Sequence, residues 1–89
     1  MAIDEALLRA AKSNPEDVWF DDAVKLATQL GWIESRRRGS HVVFFHPRGH
    51  QLRSTYPRPL NLQKGPNGKA KAYQVRQMLE MARELGIIA

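Results

Sequence analysis

Residues 36–47 read RRRGSHVVFFHP, a run that passes from three arginines through a glycine turn into an apolar segment. Upstream of it the apolar period changes from helical to two, so Trp32 to Arg37 is predicted as a strand. Arg38-Gly39-Ser40 is typical of a tight turn, and Val42 to His46 is predicted as a second strand. Its continuous β-branched and aromatic residues favour a central position in a sheet. The stretch therefore predicts a β-hairpin whose second strand lies inside a sheet.

The residues that follow predict a third strand and then a loop. Pro47-Arg48-Gly49 turns the chain, and Gln51 to Tyr56 is predicted as the third strand of an antiparallel meander. Residues 57–70 contain three prolines and two glycines, which indicates a loop. The length of this loop is close to the ~12–15 residues at which structureless loops become uncommon, so a function or mobility is expected for it.

Helices are predicted on both sides of the strands. Residues 2–12 and 20–30 carry apolar residues at helical spacing, with acidic residues near the start of each. Gly31 is predicted to end the second helix, and from Lys71 a third helical pattern runs to a cap at Gly86. The order helix, helix, three strands, helix predicts an α+β fold, in which helices pack on one face of a three-stranded antiparallel sheet.

Composition predicts one soluble domain over residues 1–89. With 43% hydrophobic and 26% charged residues, the chain suffices for one modest core and not for two. No apolar stretch approaches the ~18 residues of a bilayer span, and Asp4 and Glu5 stand where a signal peptide needs a basic start. The absence of cysteine excludes disulfides and thiolate metal sites, and a cytoplasmic location is expected.

The charges are strongly segregated along the chain. No Asp or Glu occurs between Glu34 and Glu80, and these 45 residues hold ten of the fourteen basic side chains. The basic residues of this segment are Arg36, Arg37, Arg38, Arg48, Arg53, Arg58, Lys64, Lys69, Lys71 and Arg76. Because ordinary surfaces mix charges of both signs, such a segment favours binding to a polyanion, with nucleic acid as the first candidate.

His41 is the candidate for chemistry in this basic segment. It stands directly after the glycine turn, and strand alternation places it on the same face as Val43 and Phe45. A neutral imidazole can take a proton from a ribose 2′-hydroxyl or deliver one to a leaving oxygen. Neighbouring arginines can hold the phosphate and stabilise its developing charge without a metal. Burial of His41 beside the apolar strand residues is the alternative.

The other histidines predict no metal site and no cofactor. Together the three form the pattern His-x4-His-x3-His, but no carboxylate or thiol accompanies them, and alternation puts His41 and His46 on opposite faces. His46 and His50 are expected to be surface residues of a basic loop, with a second acid–base role as the alternative.

Among the aromatic residues, Trp32 and Phe44 are expected in the core. Tyr56 and Tyr73 flank the basic loop, where they would either stack on bases or pack between helix and sheet.

Several of these motifs together resemble the HicA toxin family of bacterial toxin–antitoxin systems. The resemblance rests on Gly31-Trp32, on Arg38-Gly39-Ser40-His41, on the apolar Val42 to Phe45 and on Pro47, and it covers roughly residues 20–85. It implies a double-stranded-RNA-binding-domain-like fold for a core at 20–86, with an extra N-terminal helix within residues 1–13. It further implies an mRNA interferase whose catalytic residue is His41 on a turn shaped by Gly39 and Ser40, and a HicB-like antitoxin as partner.

The leading hypothesis is therefore a metal-independent endoribonuclease that acts on mRNA with His41 as general acid/base. The residues expected to bind RNA are Arg36, Arg37, Arg38, Arg53, Lys69 and Lys71. The alternative is a non-catalytic RNA-binding module that uses the same basic face. A third hypothesis is an interaction protein whose basic face serves an acidic protein partner. Neither a membrane nor a small-molecule cofactor is expected to take part.

Overall fold

The described residues form an α+β fold with three helices and a three-stranded antiparallel sheet. The computed structural model describes residues 2–53 and 59–89. The helices are α1 (Glu5–Ser13), α2 (Phe20–Gln29) and α3 (Ala72–Glu84), and the strands are β1 (Ile33–Arg38), β2 (His41–Phe45) and β3 (Leu60–Gln63). Short 3-10 turns lie at Pro15–Asp17 and Gly49–Gln51. The predicted fold class and the three predicted helices are confirmed.

Helix α1 begins at a side-chain cap. Oδ1 of Asp4 accepts a hydrogen bond from the N–H of Leu7 at 3.0 Å, and Nζ of Lys25 lies 3.3 Å from Oδ2. The hydrogen bond from Leu7, supported by the one from Lys25, holds the pKa of the Asp4 carboxyl below its ordinary value. The apolar side of α1 brings Leu8 and Ala11 into the same buried cluster as the residues of the sheet and of α2 and α3.

Strand β2 lies at the centre of the sheet, as its apolar run predicted. The strand order is β1-β2-β3, and both neighbours pair with β2 in antiparallel register. The turn between β1 and β2 contains Gly39 at φ +57°, a conformation that glycine adopts without steric cost. The register of β1 shifts between Glu34 and Arg36, so that Ser35 forms a β-bulge.

The third strand lies elsewhere than predicted. Of the predicted strand Gln51 to Tyr56, Gln51 belongs to a 3-10 turn and residues 52–53 carry no strand, while residues 54–56 lie outside the described residues. β3 instead occupies residues 60–63, inside the segment 57–70 that was predicted to be a loop.

The reason for this difference is a short alternating pattern. Leu60 and Leu62 are 1% and 0% exposed and pair with Phe44 and Val42 of β2, so that they complete the core face of the sheet. Pro59 directly precedes the strand, a position where its missing N–H interrupts no ladder hydrogen bond. The apolar residues of the helices pack on this same face of the sheet. No helix in the described part of the chain is long and apolar enough to cross a membrane.

Candidate functional site

The sheet has one face covered by helices and one open face. Cross-strand partners point to the same side of a sheet, so the register assigns every strand residue to a face. Val42 and Phe44 are fully buried under the helices, whereas His41 and Val43 are half-buried and Phe45 is exposed. The open face therefore carries Ile33, Arg36, Arg38, His41, Val43, Phe45, Asn61 and Gln63.

The three consecutive arginines are divided between the two faces. Arg36 pairs with Val43 and Arg38 pairs with His41, so both lie on the open face. Arg37 pairs with buried Val42 and points to the helix side, where its Nη2 lies 3.0 Å from Oε1 of Glu34. The hydrogen bond to Glu34 raises the pKa of the Arg37 guanidinium. Arg36 and Arg38 are thus the two arginines of this run that share a face with His41.

His41 lies in a shallow cavity on the open face. The cavity has a volume of about 260 Å³ and is lined by Arg36, Arg38, His41 and Val43. Nε2 of the His41 ring lies 3.0 Å from Oδ1 of Asn61. Because an amide oxygen can only accept a hydrogen bond, Nε2 carries the hydrogen in this arrangement. Nδ1 has no hydrogen-bond partner among the described residues, and in the neutral ring it is the basic nitrogen.

Asn61 and Gln63 reach the site because of the register of β3. Gln63 pairs with His41, and Asn61 pairs with Val43 one step away on the same face. Gln63 is held by Gln74, which is 3% exposed: the Gln63 N–H donates to Oε1 of Gln74 at 2.7 Å, and Nε2 of Gln74 donates to Oε1 of Gln63 at 2.9 Å. The sequence interpretation missed Asn61. The alternation Leu-Asn-Leu-Gln at residues 60–63 is typical of a half-buried strand and would have placed Asn61 on its polar side.

The turn that precedes His41 is tied to the end of β3. The carbonyl oxygen of Ser40 accepts a hydrogen bond from the N–H of Lys64 at 3.0 Å. Apart from the two neighbours of Gly39 in the chain, no described residue has an atom within 4 Å of the position that a Cβ would take, so the backbone angle and not crowding favours glycine here. Gly39 and Ser40 therefore shape and anchor the turn, while the Lys64 backbone lies beside it.

The remaining residues that were predicted to bind RNA lie apart from one another. Nζ of Lys69 lies 2.6 Å from Oδ1 of Asp17 and 3.6 Å from the ring centroid of Trp19, away from the open face. Lys71 is exposed, and its N–H donates to the carbonyl oxygen of Gln63 at the end of the sheet that carries His41. Arg53 follows β2 at the opposite end of the sheet, where its N–H donates to Glu84.

The exposure of the histidines and aromatic residues agrees with the sequence prediction at some positions and not at others. His46 is only 9% exposed, so its expected surface position is wrong, whereas His50 is exposed as expected.

Among the aromatic residues, Trp32 and Phe44 are buried, which confirms that they belong to the core. Tyr73 is 54% exposed and so does not pack between helix and sheet; Tyr56 lies outside the described residues. In residues 2–53 and 59–89, no group of three His, Cys, Asp or Glu side chains is arranged to hold a metal ion.

The family of the protein follows from comparison with known families. The family described as the HicA toxin of bacterial toxin–antitoxin systems matches residues 20–87. The chain belongs to the HicA toxin family. Searches of curated proteins and of solved structures gave no significant match.

The HicA match begins at the first residue of α2 and includes the whole sheet and α3. The protein is accordingly a toxin of the toxin–antitoxin type, and the family implies a cognate antitoxin as its partner.

Proposed function

We propose that this HicA toxin is a metal-independent endoribonuclease that cleaves mRNA and uses His41 as its general base. The observation that supports this proposal is the environment of His41. Its ring is oriented through Nε2 by Asn61, its Nδ1 faces no protein partner in the described part of the chain, and Arg36 and Arg38 line the same cavity. This combination suits a phosphodiester substrate.

The proposed reaction begins with a proton transfer to His41. Nδ1 takes the proton of the ribose 2′-hydroxyl, and the 2′-oxygen attacks the adjacent phosphorus. The bond from phosphorus to the 5′-oxygen then breaks, which leaves a 2′,3′-cyclic phosphate on one fragment and a 5′-hydroxyl on the other. The leaving oxygen is protonated by the imidazolium of His41 or by water.

Arg36 and Arg38 are proposed to bind the phosphate during this reaction. Guanidinium groups form paired, charge-assisted hydrogen bonds with phosphate oxygens and stabilise the charge that develops on them. Lys71 lies at the same end of the sheet and is a further candidate for the RNA backbone. Arg37, Arg53 and Lys69 remain predictions from the sequence, and their positions give them less support than those of Arg36 and Arg38.

The proposed antitoxin partner follows from the family, and the proposed cellular location follows from the mRNA substrate. An antitoxin of the HicB type would inhibit the toxin by covering the open face around His41. An mRNA substrate places the activity in the cytoplasm.

The proposal is tested by cleavage of a mixed-sequence single-stranded RNA in excess chelator. The wild-type protein should cut the RNA and spare the DNA of the same sequence, because DNA lacks the attacking hydroxyl. His41→Ala should lower the rate about 10²- to 10⁴-fold, the usual contribution of one acid–base residue. His50→Ala is the matched control, since His50 is an exposed histidine outside the cavity. Salt-sensitive RNA binding without cleavage, identical in wild type and His41→Ala, would instead support the non-catalytic RNA-binding module.

A further inference from the structure

We propose that Phe45 and Ile33 form a subsite on the open face that stacks on a base of single-stranded RNA, next to the position of cleavage. The inference rests on the proposed function for the identity of the substrate, and it adds where a neighbouring nucleotide binds.

The two side chains form an exposed apolar pair. Phe45 and Ile33 are direct cross-strand partners, and each is 47% exposed. Directly opposed residues of an antiparallel pair have their Cβ atoms about 5 Å apart, so the two side chains present one continuous apolar surface. An exposed apolar surface of this kind, on the same face as a candidate site, is typical of a binding surface.

The bulge at Ser35 creates this surface. Strict alternation backwards from Arg38 and Arg36 would place Glu34 on the open face and Ile33 towards the helices. The inserted residue reverses the phase, so that Ile33 lies on the open face and Glu34 on the other, where it pairs with Arg37. The described residues of the open face therefore combine two arginines with an apolar pair and include no acidic side chain.

The distance between His41 and Phe45 suggests that Phe45 contacts a nucleotide next to the cleaved one and not the cleaved nucleotide itself. Phe45 lies four residues along β2 from His41, which corresponds to about 13 Å at the rise of an antiparallel strand. Open sheet faces that bind single-stranded RNA stack its bases on aromatic side chains and hold its phosphates with basic ones. Arg36, opposite Val43, lies between His41 and Phe45 along the strands and can hold the phosphate that links the two nucleotides.

The first test measures binding independently of cleavage. The probe is a mixed-sequence single-stranded RNA with 2′-methoxy groups, which cannot be cut by the proposed mechanism, and the readout is fluorescence anisotropy. Phe45→Thr replaces the ring with a β-branched side chain that strands also favour, and it should weaken binding about 5- to 150-fold, the effect of losing one base–aromatic stack. Phe45→Tyr keeps the ring and should bind like the wild type. Trp19→Leu removes an aromatic residue outside the three-stranded sheet that is 54% exposed, against 47% for Phe45, and it should also bind like the wild type.

The second test locates the stacked base. A set of oligonucleotides, each with one base removed, should show one position near the cleavage site at which the wild type loses affinity. Phe45→Thr should lose no further affinity at that position, because the ring that the base contacts is already absent. Thermal unfolding of each variant confirms that the chain is folded.

The outcomes separate this inference from the proposed function. Binding that depends on the Phe45 ring, in a protein that cuts no RNA, would support the subsite and overturn the nuclease. Cleavage by a protein whose RNA affinity is unchanged in Phe45→Thr would support the nuclease and overturn the subsite. A Phe45→Thr variant that binds RNA normally and loses only antitoxin binding would assign the pair to a protein interface and likewise overturn the inference.

Discussion

The two histidines at the ends of β2 differ in burial and in the hydrogen-bond partners of their ring nitrogens. His46, just after the strand, is 9% exposed: its Nε2 donates to the carbonyl oxygen of Leu30 at 3.1 Å, and its Nδ1 accepts from the N–H of Arg48 at 3.1 Å. The His46 ring also meets Trp32 edge-on, with 4.9 Å between the centroids. His41, at the start of the strand, is half-buried and uses Nε2 on Asn61.

This difference separates a structural role from a chemical one. A histidine with both ring nitrogens bonded inside the protein holds elements together, and a change of its protonation would break one of those bonds. A histidine that lines a cavity, with one ring nitrogen oriented by the protein and the other without a protein partner in the described part of the chain, can act as a general base. The candidate for catalysis is thus identified by the partners of the two ring nitrogens and not by the residue type.

The largest effect on stability is expected from His46→Ala. It should lower the free energy of unfolding by about 3 kcal/mol, because it leaves a cavity and removes the partners of the buried Leu30 carbonyl and the partly buried Arg48 N–H. Urea denaturation measures this loss. His41→Ala should cost less than about 1 kcal/mol in the same experiment, since that residue lies on the open face. Equal losses for the two variants would contradict the separation of roles.

Gly31→Ala should destabilise the protein by about 2 kcal/mol, because the added methyl group would clash with the His46 ring. Gly31 has φ +102°, and a Cβ there would lie 2.7 Å from Nε2 of His46. The free energy of unfolding is measured for both single variants and for the double variant. The cost of Gly31→Ala should be smaller in the His46→Ala background, because the ring that it meets is gone. A cost that is the same in both backgrounds would mean that backbone strain alone requires the glycine.

Asn61→Ala should lower RNA cleavage by about 10-fold, equivalent to about 1.4 kcal/mol in transition-state free energy, with little change in stability. Loss of the amide frees the ring to rotate and to carry its hydrogen on either nitrogen. Asn61→Asp supplies a readout that a structural role would not give. A carboxylate at this position favours the charged imidazolium, so the pH at which the base becomes active should rise. A pH–rate profile identical to that of the wild type would show that Asn61 does not act through His41.

The smallest effect is expected from His50→Ala. His50 is exposed in the 3-10 turn, so its removal should change the free energy of unfolding by no more than about 0.5 kcal/mol and leave RNA cleavage unchanged. The variant supplies the baseline for the other two histidines in both assays. A large loss of cleavage on its removal would point to a second acid–base residue at the other end of the strand.

Much of the fold was predictable because its signals are local and long. The helical stripes extend over about ten residues each, and the hairpin is marked by Gly39 between two strand patterns. The third strand was misplaced because only Leu60 and Leu62 mark it, in a segment rich in proline and glycine. Its existence depends on pairing with β2, which the local pattern does not show. His46 was misjudged for a similar reason, since its buried partner is the carbonyl oxygen of Leu30, sixteen residues earlier.

The amino-acid sequence alone predicts the hairpin and its turn, shows the long segment without acidic residues, and singles out His41 as the residue to test. Strand pairing in the folded chain fixes which side chains accompany His41. The bulge at Ser35 changes the phase of β1, an effect that strict alternation does not predict, and so places Ile33 on the open face beside Phe45 and Glu34 on the other face. The register of β3 brings Asn61 to the His41 ring from twenty residues away. Sequence patterns report the period of a strand, whereas the environment of a side chain depends on which strands pair and in which register.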